Sequence, residues 1–291
     1  MFRERTVPED VAAVRNERAP NALVLDCERD FETLPIPARD DLALLTDELR
    51  PFSAPDEWLP DDAPELLRRF AGSDLVVGMP GDGSVAWTHQ TVPPVLFVKA
   101  RVQGSPEEFV DFLIAEALVE IDLDLPEHFL EFFGERYPEF SDTVPLGPAS
   151  TYQLAVALCD AYKGLYTRDE FVEWRESHPR LFDAWQDAGQ RIEPRVDGIS
   201  QEVVTGRTDF PDATELACSA IKHGIEPPAP FAALDTQAYR DHGVGYAIKW
   251  AEKTLGALDV DSDSDSASDA SNSNPESDTS DSNSKSDADS E

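Results

Sequence analysis

The stretch SPEEFVDFLIAEALVE, residues 105–120, carries the strongest helix signal in the chain. Ser105 can cap a helix, Pro106 suits the first helical turn, and the glutamates that follow complete a capping box. Apolar residues then recur at helical spacing and form a wide stripe: Phe109, Phe112, Leu113, Ala117 and Leu118. This pattern predicts an amphipathic helix that packs on a core, and a fold in which helices dominate.

Before this helix, in residues 73–103, the apolar residues follow a different pattern. Three short apolar runs follow one another there, at residues 75–77, 84–90 and 95–102, and a Gly81-Asp82-Gly83 corner separates the first two. The last run, VLFVKARV, is apolar at successive positions, which is typical of a central strand covered on both faces. The runs therefore predict a small three-stranded antiparallel β-meander.

Most of the remaining chain is expected to be helical or extended. Seven prolines between Pro20 and Pro64 predict a segment, residues 20–64, that wraps over the body and includes a buried strand at residues 22–25. Helices are predicted at residues 6–18, 40–49, 64–70, 126–138, 151–166, 168–176, 179–190, 211–223 and 235–258. The fold class is α+β and helix-dominated, with one globular domain over residues 1–260 of which residues 105–258 are mostly helical.

Acidic residues outnumber basic ones along the whole chain. It has 59 Asp and Glu against 24 Lys and Arg, only six of them lysine, and a net charge of −35. Without residues 261–291 the net charge is still −26, so the body is acidic too. Abundant Asp, scarce Lys and a preference for Arg resemble the cytosolic proteins of salt-in haloarchaea. In composition the chain resembles an uncharacterised haloarchaeal protein family, and this resemblance implies a habitat but no catalytic residue.

The C-terminal residues 261–291 have a different composition from the body. They contain twelve Ser and eight Asp, and they contain no aromatic or branched aliphatic residue. Such a segment cannot bury enough apolar surface to offset the entropy of ordering. It is predicted to be a disordered acidic tail that keeps the protein hydrated, with a phosphorylated or cation-sequestering tail as the alternative.

Several classes of protein are disfavoured by the sequence. Nowhere do 18 apolar residues run together, and residues 1–10 lack the apolar run of a signal peptide. Three cysteines without a CxxC motif predict a reduced, cytoplasmic protein. The basic grouping Arg191, Arg195 and Arg207 is diluted by acidic neighbours, so nucleic-acid binding is not expected.

One grouping of carboxylates was weighed as a metal or acid–base site. Glu116, Glu120, Asp124 and His128 lie four residues apart, which on one helix would align them on one face. Pro126 should interrupt that helix, and no Glu-x-x-His pattern elsewhere supplies the other half of a dinuclear site. The grouping is therefore predicted to be a solvated face, and no metal or cofactor is predicted.

Other candidate residues have equally ordinary interpretations. The glycine-rich residues 78–84 lack the lysine and following helix of a phosphate loop, so they predict a hairpin turn. Cys159 is predicted to be a core residue, and Cys218 and His223 point too far apart on a helix to form a nucleophile pair. Aromatic residues are predicted to build the core, with a partner-binding groove as the alternative: Phe129, Phe132, Phe133, Tyr137, Phe140, Trp174, Phe182 and Trp185.

Two classes of function remain open from the sequence. The first is a non-catalytic, halophilic, cytoplasmic protein that acts through a protein partner, because catalytic signatures are missing. The alternative is a motif-poor enzyme, for example a hydrolase, whose site is assembled from distant segments such as Asp82, His89 and Glu116. A deep pocket that holds a carboxylate and an imidazole with shifted pKa values would favour the enzyme, and a flat aromatic patch would favour the binder.

The acidic composition predicts a strong dependence of stability on salt. Lowering KCl from molar to dilute concentration should unfold the body, because the screening length grows from roughly 3 Å at about 1 M and repulsion among the excess carboxylates returns. Circular dichroism across a KCl titration measures this. Full stability in dilute buffer would contradict the halophile interpretation.

Overall fold

A computed structural model describes residues 1–31, 33–73, 75–78 and 83–269, and describes side chains as far as residue 258. Helices account for most of these residues, and a small mixed sheet lies at one side. The predicted helix-dominated α+β class is therefore confirmed. Among the described residues, no helix combines the length and apolarity that spanning a bilayer requires.

The main sheet contains four strands in the order β1-β2-β6-β4. β2 and β6 are parallel, with Leu23 opposite Val95, whereas the outer strands β1 and β4 are antiparallel to their neighbours. A second, two-stranded sheet pairs β3 with β5. The strands are β1 Phe2–Glu4, β2 Leu23–Cys27, β3 Glu48–Leu49, β4 Val85–Thr88, β5 Thr91–Val92 and β6 Val95–Val98.

The predicted antiparallel meander is corrected to a mixed sheet. β4 and β6 do pair antiparallel, but the other neighbour of β6 is β2 from residues 20–64, a segment predicted to wrap over the body. In the described part, residues 75–77 add no strand to this sheet, and Val76 makes only an isolated bridge to Thr33. Of the predicted Gly81-Asp82-Gly83 turn, residues 81 and 82 lie outside the described residues. A parallel partner needs a long crossover, so local sequence patterns did not reveal it.

Eleven α-helices lie in the described part of the chain. Helix α11 has a non-helical residue, Gly243, with φ of 45°. Residues 261–269, the first part of the segment predicted to be a disordered tail, instead continue α11, and residues 270–291 lie outside the described residues. The helices are α1 Glu9–Arg18, α2 Ile36–Ala43, α3 Glu65–Ala71, α4 Glu107–Asp122, α5 Phe129–Phe133, α6 Tyr137–Thr143, α7 Pro148–Ser177, α8 Pro179–Val196, α9 Ile199–Val204, α10 Phe210–Lys222 and α11 Gln237–Asp269.

Several helix boundaries differ from the sequence-based expectation. α1 and α4 begin after Pro8 and Pro106, and among the described residues no side chain caps either start, so the capping box expected at Ser105 does not form. The helix predicted at residues 40–49 is shifted to α2, because residues 48–49 pair with β5. The helix predicted at residues 126–138 is split into α5 and α6 by Gly134, whose φ is 54°. The two helices predicted between residues 151 and 176 form the single helix α7.

The main sheet is covered on both faces. Leu96 and Val98 of β6 pack towards α1 and α4, whereas Val95 and Phe97 pack towards α2. All four residues of β6 are buried, as its continuous apolar run predicted. The largest apolar cluster lies away from the sheet, among α5, α6, α7, α10 and α11.

Close packing of α7 against α10 positions Lys222. A Cβ built on Gly164 of α7 would lie 2.9 Å from the Cα atom of Lys222 in α10. Since real Cβ atoms do not approach backbone this closely, only glycine at position 164 permits this spacing of the two helices. Lys222 is thereby held close to α7.

Replacing Gly164 by alanine should destabilise the protein by about 1–3 kcal/mol, because the new methyl group must push α10 away. The matched control is Gly256→Ala in α11, where an added Cβ meets nothing within 4 Å. That change should be neutral or stabilise by up to about 1 kcal/mol, since alanine favours helix. Denaturant unfolding of both variants measures the difference, and equal effects would contradict the close-packing argument.

Candidate functional site

A cavity of about 670 Å³ opens between β4, α4, α7, α10 and the start of α5. Its wall is partly apolar and aromatic and partly charged. The apolar part includes Trp87, Phe109, Leu113, Phe129, Tyr152 and Val156. The charged and titratable part comprises Glu116, Glu120, Glu127, His128, Asp160, Lys163, Glu215 and Lys222.

Helical spacing brings the charged groups to the cavity. Glu116 and Glu120 are four residues apart in α4, and Asp160 and Lys163 are three apart in α7, so each pair shares a helix face. Lys222 is the last residue of α10 and approaches because α10 packs closely on α7 at Gly164. Three helices therefore contribute to one charged wall.

Two ion pairs organise this wall. Lys222 Nζ lies 2.8 Å from Glu116 Oε2, and Lys163 Nζ lies 3.2 Å from Glu120 Oε2. The indole N–H of Trp87 also donates to Glu120 Oε2, at 2.7 Å. Both glutamates are buried, so these contacts satisfy charges that would otherwise be costly to remove from water.

Glu116 has one carboxylate oxygen that these contacts leave unsatisfied. The residue is only 5% exposed, and its Oε1 has no hydrogen-bond partner. Burial raises the pKa of Glu116, although the charge of Lys222 acts against this. A buried carboxyl group with a raised pKa and a vacant acceptor site is suited to exchanging a proton with a bound molecule.

The pKa of Glu120 is shifted in the opposite direction from that of Glu116. Burial acts to raise its pKa, but the charges of Lys163 and Lys222 and the indole hydrogen bond outweigh burial and lower it. One helix face therefore carries two carboxyl groups whose environments push their pKa values apart. This is the usual arrangement of a group that exchanges protons beside a group that stays ionised.

Asp160 lies on the same wall, but its surface is exposed to the cavity. It forms no hydrogen bond and no close ion pair with any described residue. Partial removal from water raises the pKa of Asp160, while Lys163 and Lys222 act to lower it. Its carboxylate is therefore available to a molecule that enters the cavity.

Glu127 lies at the β4 end of the cavity and is almost completely buried. Its Oε2 accepts from the Thr88 hydroxyl at 2.9 Å and from the His89 backbone N–H at 3.2 Å, and its Oε1 accepts from Gln90 Nε2 at 2.9 Å. Burial raises the pKa of Glu127 to about 8, against the lowering effect of His89. Glu127 is therefore largely protonated at neutral pH.

The two histidines beside Glu127 have opposite environments. His89 Nε2 lies 3.3 Å from Glu131 Oε1, and this contact raises the pKa of His89. His128 is buried at the start of α5, where its Nδ1 accepts from the Glu131 backbone N–H at 3.4 Å. Burial lowers the pKa of His128 to about 4, so its imidazole is neutral at physiological pH.

The predicted solvated face of Glu116, Glu120, Asp124 and His128 is corrected by this arrangement. Glu116, Glu120 and His128 are all buried and line the cavity. The predicted break is confirmed, because α4 ends at Asp122 and Asp124 adopts a positive φ of 50°. Burial on three sides by α7, α10 and β4 overrides the exposure that an acidic helix face normally has.

Asp82, His89 and Glu116 were the residues predicted to form the site if the protein is an enzyme. Asp82 falls outside the described residues. His89 pairs with Glu131, whereas Glu116 pairs with Lys222, so the two do not contact each other. Lys163 and Lys222 were not predicted as site residues from the sequence. Lysine is scarce in this chain, and these two lie within helices that bury many apolar residues, which was an available signal.

Other sequence-based predictions are confirmed. Cys159 is 2% exposed and lies in the core, although it also borders the cavity. The predicted core aromatics, Phe129, Phe132, Phe133, Tyr137, Phe140, Trp174, Phe182 and Trp185, are all buried.

Residues 1–258 match a family of unknown function (DUF7089), so the chain belongs to that family. No curated protein and no solved structure shows a significant match to the chain. The matched range includes every residue of the cavity wall.

Replacing His128 by asparagine should change how stability depends on pH. Between pH 6.5 and about 4 the unfolded chain protonates this histidine and the folded chain does not, so the wild type loses stability as pH falls. Asparagine retains a capping side chain without titrating. Relative to H128N, the wild type should lose about 3 kcal/mol between pH 7 and pH 4, as measured by denaturant unfolding.

The control for this experiment is His242→Asn, at an exposed position of α11. It should follow the wild-type dependence on pH more closely than H128N does. If H128N and the wild type show the same pH dependence, His128 is not held neutral by burial.

Proposed function

We propose that this member of a family of unknown function is an enzyme that binds a small organic molecule in the cavity and transfers protons to and from it. The observation that carries the proposal is the unsatisfied Oε1 of Glu116, a buried carboxylate on the cavity wall. Burying a carboxylate with an unpaired oxygen costs free energy, so its retention in a cavity of this size is best explained by a ligand.

Glu116 acts in this proposal as the general acid and base. Its raised pKa brings the proton-transfer equilibrium closer to neutral pH, where such a group works best. Glu120 stays ionised between Lys163 and Trp87 and holds this wall in place. Lys222, 2.8 Å from Glu116, is placed to stabilise negative charge that develops nearby.

Hydrolysis is the reaction class that this arrangement accommodates most simply. The Glu116 carboxylate takes a proton from a water molecule as the water oxygen bonds to the electrophilic carbon of the substrate. The bond to the leaving group then breaks, and the Glu116 carboxyl returns the proton to that group. No redox partner is required, and the proton, the water oxygen and the leaving group are all accounted for.

The first prediction from sequence was a non-catalytic protein that acts through a partner. The aromatic residues weighed as its binding groove are buried in the core, so they do not favour this alternative. The halophilic habitat and the cytoplasmic location remain proposals that rest on composition. The cavity supports the enzyme as the better candidate, since it meets the criterion of shifted carboxyl and imidazole pKa values in one pocket.

Replacing Glu116 by glutamine should strongly reduce activity. In molar KCl, the purified protein is assayed with chromogenic ester, amide and glycoside substrates, and the substrate that is turned over is used to compare variants. Glu116→Gln should lower kcat by about 100-fold or more with a smaller change in KM, because the proton-transfer group is lost.

Two variants control for structural damage. Glu176→Gln removes a carboxylate from an exposed position of α7 and should leave kcat unchanged. The double variant Glu116→Gln with Lys222→Met leaves no lysine unpaired in the cavity wall, so it should fold and remain inactive. Absence of turnover with every substrate class, or a Glu116→Gln variant with wild-type kcat, would contradict the proposal.

A further inference from the structure

The charged wall of the cavity selects among ligand classes. Five carboxyl side chains line the cavity, against two lysines, in the described part of the chain. Glu127, with a pKa of about 8, is largely protonated at neutral pH, which leaves the other four carboxyl groups to set the sign of the potential. The wall therefore retains an excess of negative charge that a bound molecule has to match.

An anionic ligand would have to compete for cations that are already engaged. Lys222 pairs with Glu116 at 2.8 Å and Lys163 pairs with Glu120 at 3.2 Å. Moving either lysine to an anion would leave a buried glutamate unpaired, which is costly in a site removed from water. A phosphate or carboxylate ligand is therefore disfavoured.

A divalent metal ion is disfavoured for a related reason. The Lys222 ammonium lies beside the Glu116 carboxylate and would repel a metal bound to the same group. The described residues also offer no cluster of three ligands. The remaining acceptors suit a single positive charge with N–H donors.

Two acceptors on the wall are open to such a donor. Glu116 Oε1 is buried without a hydrogen-bond partner, and the Asp160 carboxylate is exposed to the cavity and has no hydrogen bond to a described residue. Both residues line one cavity. Another part of its wall is apolar and aromatic and includes Phe109, Phe129 and Trp87. Aromatic faces also attract cations.

We infer that the cavity binds an organic cation, a primary ammonium group attached to an apolar or aromatic body, with Glu116 Oε1 and Asp160 as its acceptors. This inference rests on the proposed function for the use of the cavity by a small molecule, and it adds the chemical class of that molecule. The ammonium group donates to the two carboxylates, and the apolar body lies against the aromatic wall. Because each carboxylate oxygen has two lone pairs, Glu116 Oε1 can accept from the ammonium group and still take a proton from water.

Isothermal titration calorimetry of the full chain in molar KCl tests this with three probes of similar shape. The probes are phenethylammonium chloride, the neutral 2-phenylethanol and the anion 3-phenylpropionate. The ammonium probe should bind at least about tenfold more tightly than either of the others, since charge-assisted hydrogen bonds in a buried site exceed neutral ones.

Asp160→Asn supplies the site-specific test, because this side chain is exposed and its replacement leaves both lysine pairs intact. It should weaken binding of the ammonium probe by about tenfold. Asp183→Asn, at an exposed position of α8 outside the cavity wall, should leave binding unchanged. Glu116→Gln should also weaken binding, and Asp160→Asn keeps the test decisive if that variant fails to fold.

The outcomes separate this inference from the proposed function. If the alcohol or the carboxylate binds as tightly as the ammonium probe or more tightly, the ammonium preference is overturned, although the cavity would still bind a small molecule. Ammonium binding that Asp160→Asn does not weaken overturns the assigned acceptors. Failure of all three probes to bind overturns the inference, whereas turnover lost in Glu116→Gln would still support the enzyme.

Discussion

The pairing of Lys222 with Glu116 is the constraint on which the helical body depends. A buried charge without a partner costs several kcal/mol, so a cation such as Lys222 of α10 has to reach α4 once Glu116 is buried there. Meeting there requires α10 to pass close to α7, and Gly164 is the residue that allows it. The cavity lies where α4, α7 and α10 converge.

Arg180 plays a different part from the two lysines of the cavity wall. Arg180 of α8 makes two contacts of 2.8 Å to Asp10 of α1 and one of 2.8 Å to Asp111 of α4, and so ties three helices together. The Asp10 contact lowers the pKa of that carboxyl group. A planar guanidinium suits such multiple pairing at partly exposed positions, whereas the compact ammonium of lysine fits the cavity wall.

Patterns that act over a few residues predicted their elements well. The apolar stripe after Ser105 becomes α4, and the run from Val95 becomes the fully buried β6. Predictions were wrong where contacts with distant segments determined the structure. Separate helices were predicted at residues 151–166 and 168–176, yet both ranges lie in the continuous helix α7, because packing against neighbouring helices outweighs a local start signal. From the sequence, the candidate site appeared only as a spacing of carboxylates on α4. In so acidic a chain, such a spacing is expected on an exposed helix face, so it did not indicate a buried site.

The sequence by itself determined the helix-dominated class, the aromatic core and the spacing that puts Glu116 and Glu120 on one helix face. These features follow from periodicity and burial of apolar side chains, which a local pattern records. Only the tertiary structure decided that β2 lies parallel to β6, that the two glutamates are buried, and that Lys163 and Lys222 meet them. Such contacts join residues far apart in the chain, and the pKa values of the cavity depend on the burial and charge that those contacts create.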